Sequence, residues 1–85
     1  MNKSINEAMM EWSWNESLAQ WERGDFRVVK YEDPKGRYYH RLLIRSEEHP
    51  ECDCSAPCDI EQGIDAVCRT IVEVFREQKG IELKY

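Results

Sequence analysis

The chain has 85 residues, of which 41% are hydrophobic and 34% are charged, and its 17 acidic and 12 basic residues give a net charge of −5. This length suits one modest core, so we expect residues 1–85 to fold as a single compact domain. The longest apolar runs have three residues, as in Leu42-Leu43-Ile44, which excludes a membrane-spanning helix of about 18 residues. The polar start, Asn2-Lys3-Ser4, lacks a secretory signal pattern, so we expect a cytoplasmic protein.

Residues 1–24 have the pattern of an N-terminal helical segment. Ser4 to Glu7 and Ser13 to Glu16 both fit capping boxes, in which serine and glutamate satisfy backbone amides at a helix start. Gly24 suits a helix end, because glycine enters the left-handed conformation at low cost. The apolar residues lie on two faces of a continuous helix, so the pattern favours one kinked helix or two short helices.

Residues 26–45 predict a β-hairpin. Their two halves are rich in β-branched, aromatic and alternating residues, and Asp33-Pro34-Lys35-Gly36 between them is a typical turn sequence. Alternation places His40 and Leu42 on one face of the hairpin and Tyr39 and Arg41 on the other.

The remaining residues predict a loop, a long helix and a short strand. Residues 46–58 form a polar loop that carries cysteines, and residues 59–79 keep the apolar spacing of an amphipathic helix that ends near Gly80. Residues 81–85 can add a third strand. The predicted fold class is therefore α+β.

The loop carries four candidate zinc ligands. Thiolate and imidazole groups are the ligands that a structural zinc ion prefers, and metal binding can supply folding energy that a small core lacks. The spacing lacks paired Cys-x-x-Cys units, so free thiols are an equal alternative and a Cys54–Cys58 disulfide is a weaker one. The candidate ligands are His49, Cys52, Cys54 and Cys58.

Three tryptophans fall within ten residues of the N-terminal segment: Trp12, Trp14 and Trp21. Tryptophan is enriched at the energetic centres of protein interfaces, and it also fills small cores. We expect two of the three in the core and one available to a partner, which includes a second copy of the chain as a homodimer.

The hairpin lies in the basic part of the sequence, where seven basic residues face three acidic ones over residues 23–45. Arginines interleaved with tyrosines can hold phosphates and stack bases. A solvated sheet face is the competing interpretation, favoured by the net negative charge. The candidate anion or nucleic-acid ligands are Arg27, Tyr31, Tyr39, Arg41 and Arg45.

These patterns do not support catalysis, because phosphate-binding loops, hydrolase triads and paired zinc-hydrolase histidines are missing. The leading hypothesis is a small non-catalytic binding protein that occludes a macromolecular partner through the tryptophans and the acidic flanks. Such an inhibitor or accessory protein is of the kind that phages and mobile elements encode, and a nucleic-acid-handling enzyme would be a suitable partner. The alternatives are nucleic-acid or nucleotide binding on the hairpin and a zinc-stabilised interaction module.

Overall fold

The computed structural model describes residues 5–60 and 63–85. Within these ranges, five antiparallel strands form one sheet, and each strand pairs with its neighbour in the sequence. The sheet is accompanied by one long helix. The elements are α1 (Ile5–Ala8), β1 (Ser13–Asn15), β2 (Gln20–Arg23), β3 (Phe26–Glu32), β4 (Tyr38–Ile44), a 3-10 turn (Pro50–Cys52), β5 (Cys54–Cys58) and α2 (Ile64–Lys79).

The predicted helical segment over residues 1–24 is wrong. Within its described part, α1 is one helical turn, and β1 and β2 form a hairpin in which Trp14 pairs with Trp21; residues 1–4 lie outside the described residues. The backbone N–H of Leu18 donates to Asn15 Oδ1 over 3.1 Å in the connecting turn. Short polar side chains compete with helical hydrogen bonds in this way, so residues that resemble helix caps can also serve a hairpin turn.

Gly24 belongs to the tight turn between β2 and β3, and it is not a helix end. Its φ is +57°, and a Cβ atom there would lie 2.3 Å from the carbonyl oxygen of Lys84. The predicted strand at 81–85 is also wrong, because this segment is held at the turn. The Asp25 N–H donates to Lys84 O, and the Lys84 N–H donates to Asp25 Oδ2, both over 2.9 Å.

The predicted hairpin over 26–45 is confirmed as β3 and β4, although it forms the centre of a larger sheet. In its turn, Gly36 N–H donates to Asp33 O, and Asp33 Oδ1 accepts the N–H groups of Lys35 and Arg37, each over 2.9 Å. The hydrogen bond from the Arg37 backbone is the main reason that the pKa of Asp33 is lowered. The Asp-Pro-Lys-Gly sequence therefore fixes the turn as expected.

The predicted loop over 46–58 contains the fifth strand, Cys54–Cys58, which pairs with β4. Pro57 makes this strand hard to predict from the sequence, because proline cannot donate to a hydrogen-bonded ladder and is confined to strand edges and bulges. Asp33 N–H donates to Arg37 O, and along β4 the backbone groups then point alternately toward β3 and β5. By this alternation Arg41 points toward β3, so the nitrogen of Pro57, its partner on β5, points away from β4. β5 is thus an edge strand protected by its proline.

The predicted helix over 59–79 is observed as α2, which begins at Ile64 after Gly63; residues 61–62 lie outside the described residues. Its end at Lys79 agrees with the prediction, and Gly80 adopts a left-handed φ of +65°. Ile64 and Cys68 are buried, whereas Val67 and Val74 of the expected apolar stripe are 47% and 40% exposed.

One face of the sheet builds the core. On this covered face, Phe26 pairs with Ile44 and Val28 pairs with Leu42. These four side chains are almost fully buried, in one cluster with residues from α2, the N-terminal turn and the C-terminal segment. The added members are Met9, Trp12, Ile60, Ile64, Cys68 and Leu83. Within residues 5–60 and 63–85, no helix has the length and apolarity needed to cross a membrane.

Candidate functional site

The opposite side of the sheet, called the open face here, gathers the basic and aromatic residues of the hairpin. The register of β3 and β4 places Arg27 opposite Leu43, Val29 opposite Arg41 and Tyr31 opposite Tyr39. Antiparallel partners project to the same side, which confirms the expected shared face.

Tyr31 and Tyr39 form the exposed aromatic part of the open face. Their ring centroids are 6.0 Å apart, and the planes differ by 26°. The residues are 43% and 37% exposed, respectively. The pair therefore presents apolar ring surface to solvent near the Asp33–Gly36 turn, where a flat ligand can reach it.

Arg41 stands next to this aromatic pair. Its guanidinium carbon lies 6.0 Å from the ring centroid of Tyr31 and 6.0 Å from that of Tyr39. The Nε–H group donates to Ser55 Oγ over 2.8 Å, so β5 orients the side chain. A planar cation held beside two aromatic rings can contact an anion and its attached ring together.

Arg27 and Arg45 extend the positive charge toward the other end of the open face. Arg27 Nη1 donates to the carbonyl oxygens of Gly24 and Phe26 over 2.7 and 2.8 Å. Arg45, which follows β4, donates from Nη1 to Ile44 O over 3.0 Å. Backbone carbonyls therefore hold both guanidinium groups in place.

Among the described strand residues that project to the open face, the one with a carboxylate side chain is Glu22 on β2. Gln20 and Asn15 donate side-chain hydrogen bonds to Glu22 Oε2 over 2.6 and 3.0 Å, and Arg27 Nε lies 3.6 Å away. The hydrogen bond from Gln20 is the main cause that lowers the pKa of Glu22, followed by that from Asn15. Glu22 is therefore a fixed negative charge at the β2 side of the arginines.

The three tryptophans do not form one surface. Trp12 is 6% exposed and belongs to the core, where its ring centroid lies 5.9 Å from that of Tyr85. Trp21 is partly buried against the core, whereas Trp14 is 52% exposed and packs edge to face on Trp21 at 5.0 Å. Of the predicted partner-binding set, Trp14 is the residue most accessible to a partner.

The candidate zinc ligands are spread over the 3-10 turn and β5. Cys52 is buried, Cys54 is exposed, and His49 Nδ1 lies 3.3 Å from Glu51 Oε1. Cys54 and Cys58 are four residue steps apart in an extended strand, a separation of about 13 Å, which is too far for a disulfide. The described residues contain no group of three or more His, Cys, Asp or Glu side chains that could hold a metal ion. Zinc binding stays a prediction for metal analysis.

Burial makes two cysteines poor nucleophiles. It is the main cause that raises the pKa of Cys58 to about 11 and that of Cys68 to about 12. Cys58 ends a strand and does not begin a helix, so it lacks the helix start that would lower its pKa. Cys68 is fully buried and is a small residue of the core.

Sequence reasoning missed a cleft on the core side of the sheet, at the end that the helix leaves open. Its volume is about 460 Å³, and it lies beside the hairpin of β1 and β2. The β3 alternation places Lys30 on the same side as Val28 and so indicates part of the lining. The helix predicted over residues 1–24 conceals the β1–β2 hairpin, which supplies the rest. The lining residues are Trp14, Ala19, Trp21, Val28, Lys30 and His40.

Comparison of the chain with protein-family models, with curated proteins and with solved structures finds no match in any of the three.

Proposed function

We propose that this protein is a non-catalytic binding protein that holds single-stranded nucleic acid on its open face. The observation that carries the proposal is the exposed Tyr31–Tyr39 pair with the guanidinium of Arg41 at 6.0 Å from each ring. Bases of an unpaired strand stack on such rings, and the neighbouring cations contact phosphates.

The charge distribution supports an anionic ligand at this face. The chain carries a net charge of −5, yet Arg27 and Arg41 project to the open face. The nearby carboxylates are Glu22 on β2 and, in the groove that Arg27 and Arg45 share, Asp25, Glu47 and Glu48. An acidic protein with a basic face attracts a polyanion in one orientation and repels it elsewhere. The face is therefore selective in orientation, although the total charge is unfavourable.

The physical expectation is a weak, sequence-tolerant complex. Stacking contributes about 1–3 kcal/mol for each base, and a few phosphate contacts give dissociation constants of the order of 10–100 µM. With three participating arginines, the logarithm of the binding constant should fall with the logarithm of salt concentration with a slope of about −2.

The test uses a labelled oligothymidylate of about eight nucleotides, a length within the usual site size. We expect Tyr39→Ala to weaken binding about tenfold in fluorescence anisotropy, because one stacking surface is removed. Arg41→Ala should weaken binding and reduce the steepness of the salt slope by about 0.7, because one phosphate contact is lost.

Two exposed residues away from the open face provide matched controls. Tyr38 is 65% exposed on the other side of the same strand, and Arg76 lies on α2 with its Nε 3.2 Å from Glu82. Tyr38→Ala and Arg76→Ala should leave the dissociation constant within about twofold. Equal losses in Tyr38→Ala and Tyr39→Ala would reject the proposed site.

Occlusion of a protein partner is the second candidate function. It is favoured by exposed apolar side chains in the N-terminal part, where Met10, Trp14 and Leu18 are 81%, 52% and 64% exposed. A partner bound in this way should be lost in Trp14→Ala and retained in Arg41→Ala, which is the reverse of the result expected for nucleic acid.

A further inference from the structure

The cleft beside the β1–β2 hairpin has the composition of a small-molecule site. Its volume of about 460 Å³ lies within the range of pockets that hold small ligands. Trp14 and Trp21 form an aromatic wall, with ring centroids 5.0 Å apart and planes at 61°. Val28, which is fully buried, forms the apolar floor of the cleft at the edge of the core.

Lys30 supplies the positive charge of the cleft lining. Lys30 and His40 pair across β3 and β4, and the described residues that line the cleft include no carboxylate. The Lys30 ammonium lies 4.6 Å from the ring centroid of Tyr38. This arrangement places a cation at an otherwise apolar cleft, so it complements a ligand with an apolar body and one negative charge.

Ala19 is the last residue of the turn between β1 and β2, which lies at one side of the cleft. Its φ is +51°, a left-handed conformation that glycine adopts far more readily than alanine. The residue nevertheless contributes to the cleft lining.

We infer that this cleft binds a small aromatic carboxylate, with the ring against Trp14 and Trp21 and the carboxylate at Lys30. This site is on the opposite side of the sheet from the proposed nucleic-acid face. The two sites share none of the residues that carry them, so each can fail without the other.

The test is a titration with 2-naphthoate followed by proton–nitrogen NMR of the three tryptophan indole groups. We expect the Trp14 and Trp21 indole signals to shift, while the signal of the core residue Trp12 stays in place. The neutral isostere 2-naphthamide should bind about threefold to fivefold more weakly, because an exposed ion pair contributes modestly.

Matched lysine variants test the charge contact. Lys30→Met should abolish the preference for naphthoate over naphthamide, and Lys35→Met in the hairpin turn should retain it. Trp14→Ala should weaken naphthoate binding about tenfold through loss of the aromatic wall, with an unchanged Trp12 signal as evidence of folding.

Several outcomes would overturn the inference. These are equal affinity for the two naphthalene compounds in the unaltered protein, shifts of all three indole signals together, no shift at all, or dimer formation through the cleft in place of binding. Addition of oligothymidylate should leave naphthoate affinity unchanged, which separates this site from the open face.

Discussion

The two faces of the same hairpin have different surroundings because successive residues project to opposite sides. On the covered face, Phe26 and Val28 are fully buried beneath the helix and the terminal segments. On the open face, their neighbours Arg27 and Val29 are partly exposed, and Tyr31 is 43% exposed. A period of two therefore separates the core residues from the residues of the proposed binding face within a seven-residue strand.

The largest expected contrast between the faces is in stability. Phe26→Ala removes a fully buried ring and should lower the free energy of unfolding by about 3–5 kcal/mol, enough to unfold a domain of this size. Tyr39→Ala on the open face should cost less than about 1 kcal/mol. Urea denaturation of both variants measures the difference, and similar losses would contradict the assignment of faces.

A smaller contrast concerns alkaline pH and the buried thiol of Cys68. Its pKa is raised to about 12 from a usual 9.0 by burial, so the unfolded chain loses this proton first as pH rises. The contribution of this thiol to the free energy of unfolding is therefore fully present below pH 9.0. It decreases as pH rises toward the pKa of Cys68 in the folded protein, with a loss of about 1 kcal/mol at pH 10.

Urea denaturation at pH 8 and pH 10 measures this effect, and cysteine variants isolate it. Cys68→Ala should show a smaller loss between the two pH values than the unaltered protein. Cys54→Ala, at an exposed position, should lose as much stability as the unaltered protein. An identical pH dependence in all three proteins would contradict burial of the Cys68 thiol.

The smallest expected effect concerns the negative charge of Glu22 on the open face. Glu22→Gln removes the carboxylate beside Arg27, so oligothymidylate should bind about twofold to threefold more tightly at low salt. The difference should disappear at high salt, where surface charges are screened. Fluorescence anisotropy measures it, with Glu73→Gln on α2 as the control; tighter binding in both variants would point to net charge in place of the local contact.

The hairpin and its faces could be predicted from the sequence because two local signals agree there. Asp33 to Gly36 specifies the turn, and the alternation from Phe26 and from Tyr38 specifies the sides. The prediction for the segment before Gly24 was wrong because serine, asparagine and glutamate occur in helix caps and in turns. The dipeptide Gly24-Asp25 is itself a signal for a two-residue hairpin turn, but glycine fits a helix end equally well.

The candidate site could be predicted in part. The residues of the open face follow from alternation within the hairpin, whereas the bond from Arg41 to Ser55 requires knowledge that residues 54–58 form a strand. The cleft depends on the pairing of β1 with β2 and on tertiary packing, which period and composition do not specify. The division of the tryptophans between core and surface required the same information.

Photo-crosslinking tests the central claim most directly. An oligothymidylate that carries 5-iododeoxyuridine couples to aromatic side chains on which the base stacks, and peptide sequencing by mass spectrometry identifies the residue. The account predicts crosslinks at Tyr31 and Tyr39. Crosslinks at Tyr38 or Trp14 on the other side of the sheet, or no crosslinks under binding conditions, would contradict it.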